Sequence, residues 1–504
     1  MPSNDKLIPT WIAFTLILIL SACNSSGGGN GSSDDNADND DSSASMTAFS
    51  PSLYLIGNDG SSGNVADGSQ LWITEGTEST TSLVKAIFPG DDAGMREFTR
   101  VGDLMFFTAD DGSGHDQQLW VSDGTESGTQ RLTDSSTHKF ARELTHVDEM
   151  LYFRAMDESI DRLALWTSDG TVGGTERVVA NDLTSDSIAL LTSFNDDLFF
   201  AYRDSAGIGT ELWRSRPGGS TGVFANIQAG GGLGSLYTCP DRMVEMNGYL
   251  YFSANDGVGG NNCALWRTNG QRVGGEGHVE KVMDVSPDST NFGPIKMVAT
   301  DDRLFFLTRG SSLEDVDSAI WVSDGTEQGT ERVFASNDDY QVLVGDQTEP
   351  TGHLMGAGGY AYFYVRDLNR HDSNALQLWV TDGTEAELFV DLERSILGDH
   401  RISKAVSGDR LYYLALRPDT ADDLVTPNNG LWVAEGKQTT LLPTGIRTTG
   451  TSGIPLLPAG DGETLIFRSQ SEVWRTNGTD QGTGFVKEIC SGPCDGFLGP
   501  KIYE

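Results

Sequence analysis

Leu119-Trp120-Val121-Ser122-Asp123-Gly124-Thr125 is the stretch on which the fold turns. It returns as Leu165-Trp166-Thr167-Ser168-Asp169-Gly170-Thr171, as Ile320-Trp321-Val322-Ser323-Asp324-Gly325-Thr326 and as Leu378-Trp379-Val380-Thr381-Asp382-Gly383-Thr384. Looser copies centre on Trp72, Trp213, Trp266, Trp432 and Trp474, giving nine tryptophans that each follow an aliphatic residue. Adjacent anchors stand 42 to 58 residues apart, which is room for about four short strands per unit. A fixed repeat of this length marks a repeat architecture, so 504 residues need not mean several unrelated domains.

Ahead of most anchors comes a second apolar pair: Phe106-Phe107, Tyr152-Phe153, Phe199-Phe200, Tyr251-Phe252, Phe305-Phe306, Tyr362-Phe363 and Tyr412-Tyr413. Leu53-Tyr54 and Ile466-Phe467 complete the series. Neighbouring residues of a strand point to opposite faces, so an adjacent apolar pair requires cover on both sides. A half-exposed sheet would alternate apolar with polar instead. Sheets stacked around an axis meet the requirement, and that is a β-propeller. Asn247-Gly248 before an aromatic strand and Asp-Gly after the tryptophan supply the tight reversals. Each unit thus reads as an inner strand, an aromatic strand, a tryptophan strand and an outer strand. The fold class is all-β, a propeller of about nine four-stranded blades, with eight as the alternative because only 42 residues separate Trp432 from Trp474.

The first unit opens almost directly on its aromatic strand at Leu53-Tyr54, without an inner strand of its own. After the ninth outer strand an unmatched tail remains, Phe497-Leu498-Gly499-Pro500-Lys501-Ile502-Tyr503, which resembles Asn291-Phe292-Gly293-Pro294-Ile295-Lys296-Met297. That tail is expected to complete the first blade and close the ring. The repeats as a set resemble those of bacterial exported proteins with tandem ELW-x-x-DGT-x-x-GT motifs, and the resemblance covers nearly all of residues 51–504. It implies a propeller-like fold and little agreed chemistry. Departures are Trp213 followed by Arg-Ser-Arg-Pro-Gly, Trp266 and Trp474 by Arg-Thr-Asn-Gly, and Trp432 by Val-Ala-Glu-Gly. Because the acid varies, the aspartates are not expected to form one repeated catalytic device.

The N-terminus gives an address. A short polar region with Lys6 precedes an apolar run from Trp11 to Leu20, followed by Ser21-Ala22-Cys23. Ten apolar residues span ~15 Å as a helix, half a bilayer core, so residues 1–22 read as a secretory signal. Small residues before a cysteine resemble the lipobox of bacterial lipoproteins, which implies lipidation of Cys23. Asn24 behind it resembles lipoproteins sorted to an outer membrane. Residues 23–50 then read as a lipidated cysteine and an acidic tether, with five aspartates and no basic residue. Four cysteines remain, an even number in an exported chain, which favours two disulfides. Three pairings exist, and the local ones, Cys239 with Cys263 and Cys490 with Cys494, are expected.

A net charge of −39 repels nucleic-acid phosphates and bare anionic lipid, so no nucleic-acid partner is expected. The aspartates of the Asp-Gly-Thr turns are expected to satisfy nearby backbone N–H groups. Loops Asp110 to Asp116 and Asn255 to Asn261 are rich in hard oxygen donors, so calcium is the one cofactor held open beside a turn-forming role. Neither has EF-hand spacing. The seven histidines are scattered, with no HExxH pair, and phosphate loops and dinucleotide fingerprints are missing. About ten residues before the aromatic pairs several units carry a base: Arg96, Arg142, Arg242, Lys296 and Arg401. On inner strands these would face the channel and offer a site for an anionic ligand, unless neighbouring Glu97, Glu143 and Asp241 neutralise them locally. The chain therefore reads as a monomeric, outer-membrane-anchored binding or assembly module with a protein or glycan partner. The competing class is an enzyme, a glycan hydrolase or lyase working in the channel.

Overall fold

The structure is a computed structural model that describes residues 52–57, 70–89, 91–113, 117–134, 138–159, 161–178, 188–203, 210–228, 243–258, 263–285, 292–309, 318–344, 354–370, 376–391, 404–416, 429–442, 456–458, 463–469 and 472–488. Those residues form nine blades, all within Ser45–Glu504. Blade 2 shows the plan: Arg96–Val101, Leu104–Ala109, Gln118–Ser122 and Gln130–Arg131 pair in that order, each antiparallel to the last. Blades 3 to 9 repeat it, beginning at His138–Val147, Ile188–Phe194, Val244–Met246, Phe292–Thr300, Leu354–Ala357, Lys404–Ser407 and Leu456–Pro458. Blade 7 has a further piece, Tyr340–Val342, paired to the far end of Tyr360–Asp367. Blade 1 has three described strands, Leu53–Gly57, Gln70–Thr74 and Ser82–Ala86, matching the second to fourth of the others. The tail at 497–503 expected to supply its inner strand lies outside the described residues. Nine blade sheets, beside one two-stranded hairpin of Arg272–Val273 and Glu276–Gly277, answer the blade number, and the eight-bladed alternative falls.

Register explains the paired aromatics. In every blade the tryptophan stands opposite one particular residue of the second strand: Phe107 for Trp120, Phe153 for Trp166, Phe306 for Trp321 and Phe467 for Trp474. In blade 1 Trp72 stands opposite Leu55, so its equivalent pair is Tyr54-Leu55 rather than Leu53-Tyr54. One member of each pair serves each neighbour. Phe107 and Trp120 join Tyr54 and Leu71 in the core between blades 1 and 2. Phe106 and Leu119 join Leu151, Phe153 and Trp166 between blades 2 and 3. Both phenylalanines are buried, each contributing about 1.5–3 kcal/mol by removal from water. A slip of one residue would exchange the two faces.

Nine apolar clusters result, one between each pair of successive blades. The ninth joins Ile466, Val473 and Val486 of blade 9 to Leu55 and Trp72 of blade 1, so the ring closes. It is the smallest of the nine among the described residues. A polar contact repeats the point. Lys85 Nζ of blade 1 donates to Thr129 O of blade 2 at 2.8 Å, and Lys487 Nζ of blade 9 donates to Thr81 O of blade 1 at 2.9 Å. The two lysines hold the same register, opposite Leu71 and Val473.

First strands of blades 2, 3 and 4 lie against one another, as do those of blades 5 to 9. These strands therefore face the axis, and the fourth strands form the outer wall. Six blades carry a bulge between the aliphatic residue and the tryptophan of the third strand, where the fourth strand has an extra residue. Such a bulge increases local twist.

Candidate functional site

Several expected site residues fall outside the described residues: Cys23, Cys239, Cys490, Cys494, Arg242 and Arg401. Cys263 is described, buried and disulfide-bonded. Gly293 of the next blade passes so close that a Cβ there would collide with the Cys263 carbonyl.

The loudest motif proves to be self-contained. In blade 2, Asp123 Oδ1 accepts the Thr125 N–H at 2.9 Å and its hydroxyl at 2.7 Å. Thr125 Oγ1 accepts the Gly128 N–H at 3.0 Å, and the Thr129 hydroxyl returns to Thr125 O at 2.6 Å. Ser122 and Thr129, both buried, share a 2.7 Å hydroxyl contact under the turn. Blades 3 and 6 repeat the set through Asp169 and Asp324, and blade 9 does so with Asn477. The Thr125 hydroxyl, then its N–H, holds the Asp123 carboxyl below the usual range. As expected from the sequence, these aspartates satisfy the chain itself.

Each such turn also presses on the preceding blade. Gly325 has φ +90°, and a Cβ there would run into Tyr251 Oη and lie 3.1 Å from Arg267 Nη1 of blade 5. The turn carbonyl of one blade accepts a donor from the blade before: Tyr54 to Ser122 O, Arg214 to Gly270 O, Arg267 to Gly325 O, Tyr362 to Gly436 O and Arg410 to Asn477 O.

The loops weighed for calcium show a different use of their acids. Asp111 Oδ1 accepts the Ser113 N–H at 3.0 Å, while Oδ2 meets Arg131 of the fourth strand at 2.8 Å. Asp157 with Arg177 and Asp256 with Lys281 repeat the pairing at 2.8 Å each. Among the described residues no group of three or more His, Cys, Asp or Glu is placed to hold a metal. Residues 114–116 and 259–261 of these loops lie outside them.

Arg96, Arg142 and Lys296 come to equivalent places on the axial strands. They stand opposite Thr108, Arg154 and Leu307, each the residue that follows the second aromatic of its pair. Arg96 and Arg142 are exposed and Lys296 half-buried. A register shift lies beside each of the three, and in blades 2 and 3 the next residue takes the left-handed region: Glu97 at φ +57° and Glu143 at φ +54°. That conformation is uncommon for a residue with a side chain. It swings the carboxylates sideways onto the next blade. Glu97 Oε2 accepts the Leu144 N–H at 3.3 Å. Glu143 Oε2 accepts the Leu191 N–H at 3.5 Å, and its Oε1 pairs with Arg154 at 2.7 Å. Burial first of all pushes the Glu97 carboxyl above its usual range, against the N–H groups of Leu144 and Glu143 and the charge of Arg142.

Sequence neighbours therefore do not simply cancel. Glu97 and Glu143 reach onto the adjoining blade, and Arg96 Nε donates to Gly94 O at 3.1 Å. Gln117, which no motif singles out, stands beside them. Its carbonyl accepts the Ala141 N–H of blade 3 at 3.1 Å, and its Oε1 accepts the Thr108 hydroxyl at 3.2 Å.

No known family and no curated protein matches this chain. Solved structures do match in outline. One comes from an analysis of two prolyl endopeptidases, at 10% identity, over 76% of this chain and 54% of that one, with a TM-score of 0.42. Oligopeptidase B from Leishmania major matches at 10% over 76% and 53%, with 0.40. The tricorn protease matches at 11% over 84% and 42%, with 0.31. The chain thus spans about half the length of these proteins or less. The propeller assignment rests on the pairing of its own blades.

Proposed function

We propose that this chain is a bacterial outer-membrane lipoprotein of the ELWxxDGT-repeat kind, anchored through Cys23, whose propeller serves as a binding or assembly module. The observation that carries the binding role is the pair of exposed guanidiniums, Arg96 and Arg142, on neighbouring axial strands of a chain with net charge −39. The rim turns support it from the other side. Their aspartates are committed to local hydrogen bonds, which leaves the axial strands as the variable polar surface. The partner is a protein or glycan of the cell envelope.

Two measurements test the reading. Lipid labelling of growing cells should mark the wild-type protein and not Cys23→Ala; label that persists in the variant overturns the anchor. Full-length protein incubated with envelope glycans should retain a component without shortening it. Shortened glycan products would replace the module with a hydrolase or lyase.

A further inference from the structure

The geometry points to an oxyanion-binding site at the junction of blades 2 and 3, where Arg96, Gln117 and Arg142 donate to a carboxylate or phosphate of a soluble ligand. It deepens the binding-module reading and rests on it. Three observations meet there. The first is proximity. A Cβ built on Gly94 would lie 3.2 Å from Gln117 Nε2 and 3.5 Å from Arg96 Nη2, so the amide and guanidinium nitrogens flank one small space. The backbone bond from Ala141 N–H to Gln117 O sets the axial strand of blade 3 against Gln117, one residue before Arg142.

The second is donor polarity. Thr108 Oγ1 lies 3.2 Å from Gln117 Oε1 and 3.3 Å from the Arg96 carbonyl, and the Gln117 Nε2 end faces the space beside Gly94. Arginine has donors only, arranged in a fork that fits two oxygens at once. Together the three side chains form a donor set suited to an anion.

The third is the handling of the acids. The carboxylates next to both arginines in sequence are turned by left-handed backbone onto blades 3 and 4, where they accept N–H groups. Asp92 Oδ1 is likewise engaged, by the Gly94 N–H at 2.8 Å. Non-glycine residues in this region are strained, and the chain keeps that backbone in three consecutive blades, at Glu97, Glu143 and Leu190. That backbone carries the Glu97 carboxylate off the Arg96 strand to blade 3, where the charge of Arg142 still reaches it, and carries the Glu143 carboxylate to Leu191 and Arg154.

Isothermal titration of the full chain at low ionic strength, with inorganic phosphate and separately with glucuronate, tests the site and tells its two sources apart. Saturable binding of either probe is expected, and the probe that binds names the group. Arg96→Ala and Arg142→Ala should each weaken it at least about tenfold, the scale of one charge-assisted hydrogen bond. Arg96→Lys should recover part of the loss, since charge returns without the fork. Arg216→Ala, on the rim of blade 4, should bind as wild type does. Should an alanine variant misfold, Gln117→Leu and Arg96→Lys provide the same comparison, with weaker binding expected in both. Absence of binding by both probes overturns the site, as does binding unchanged in the arginine variants. In that event an envelope component still retained by the protein would leave the module standing.

Discussion

Two regions join each blade to the next, the turns on the rim and the first strands at the axis, and they do it by opposite means. At the rim the same small loop recurs with nearly the same distances, whether its first residue is Asp123, Asp169, Asp324 or Asn477. At the axis the neighbouring blades differ: Glu97 and Glu143 occupy the left-handed position in blades 2 and 3, and Leu190 in blade 4. Uniform contacts make a ring, whereas local exceptions make one arc of it unlike the rest. The difference teaches that the most repeated residues of this chain are its scaffold, and that the axis is where the repeat is broken.

The strongest way to break the comparison is at a rim glycine. Gly325→Ala meets Tyr251 and Arg267 of blade 5 at a backbone angle of +90°, so strain and overpacking add. A loss of about 2–4 kcal/mol is expected in chemical denaturation. Gly102→Ala serves as the control, because its φ is +56° and nothing lies within 4 Å of the added carbon. It should lose only about 1–2 kcal/mol. Equal losses in the two variants would mean that the turn does not lock one blade to the next.

A medium effect is expected at the axis. The folded state raises the Glu97 carboxyl above its usual range, chiefly through burial. Below the unfolded value, near 4.3, the group is neutral in both states and carries no penalty. As pH rises through the raised folded value, ionisation costs the folded state stability. Glu97→Gln should therefore gain on wild type between pH ~4 and neutrality in thermal melts, and the gain should vanish in acid. A constant difference at every pH would show that Glu97 acts through its shape alone.

The smallest effect is expected from Asp123→Asn. Blade 9 already builds this turn with Asn477, so neutral-pH stability should hardly change. The Asp123 carboxyl is held low by Thr125, so its contribution is present above the unfolded value and is lost as pH falls through the folded one. The variant should accordingly be less sensitive to acid than wild type. Greater sensitivity would contradict the hydrogen-bond origin of the shift.

Much of the fold was legible because each blade repeats its own letters. Trp120 and Phe106-Phe107 carry the demand for two covered faces, and Asp-Gly marks the turn. What crosses between blades was not legible. The donors to the turn carbonyls are Tyr54, Arg214, Arg267, Tyr362 and Arg410, different residue types whose shared role no repeated letter marks. The bulge between Leu71 and Trp72 leaves no glycine to announce it. At the site the sequence placed Arg96 and Arg142 correctly on axial strands. It left open which base Glu97 attends, because the left-handed backbone that turns Glu97 from the Arg96 strand toward blade 3 and Arg142 is set by contact with the next blade. Gln117 was invisible for the same reason.

The bond from Lys487 to Thr81 spans 406 positions, whereas its counterpart from Lys85 to Thr129 spans 44. Every other junction can begin to form as soon as two neighbouring units exist; this one must wait for the end of the chain. Bringing ends together over that longer loop costs about 2 kcal/mol more in chain entropy. The seam also has the smallest apolar cluster among the described residues. The circle consequently has a history: it is a row of blades first and a ring last, and under force or heat the same joint should be the first to part.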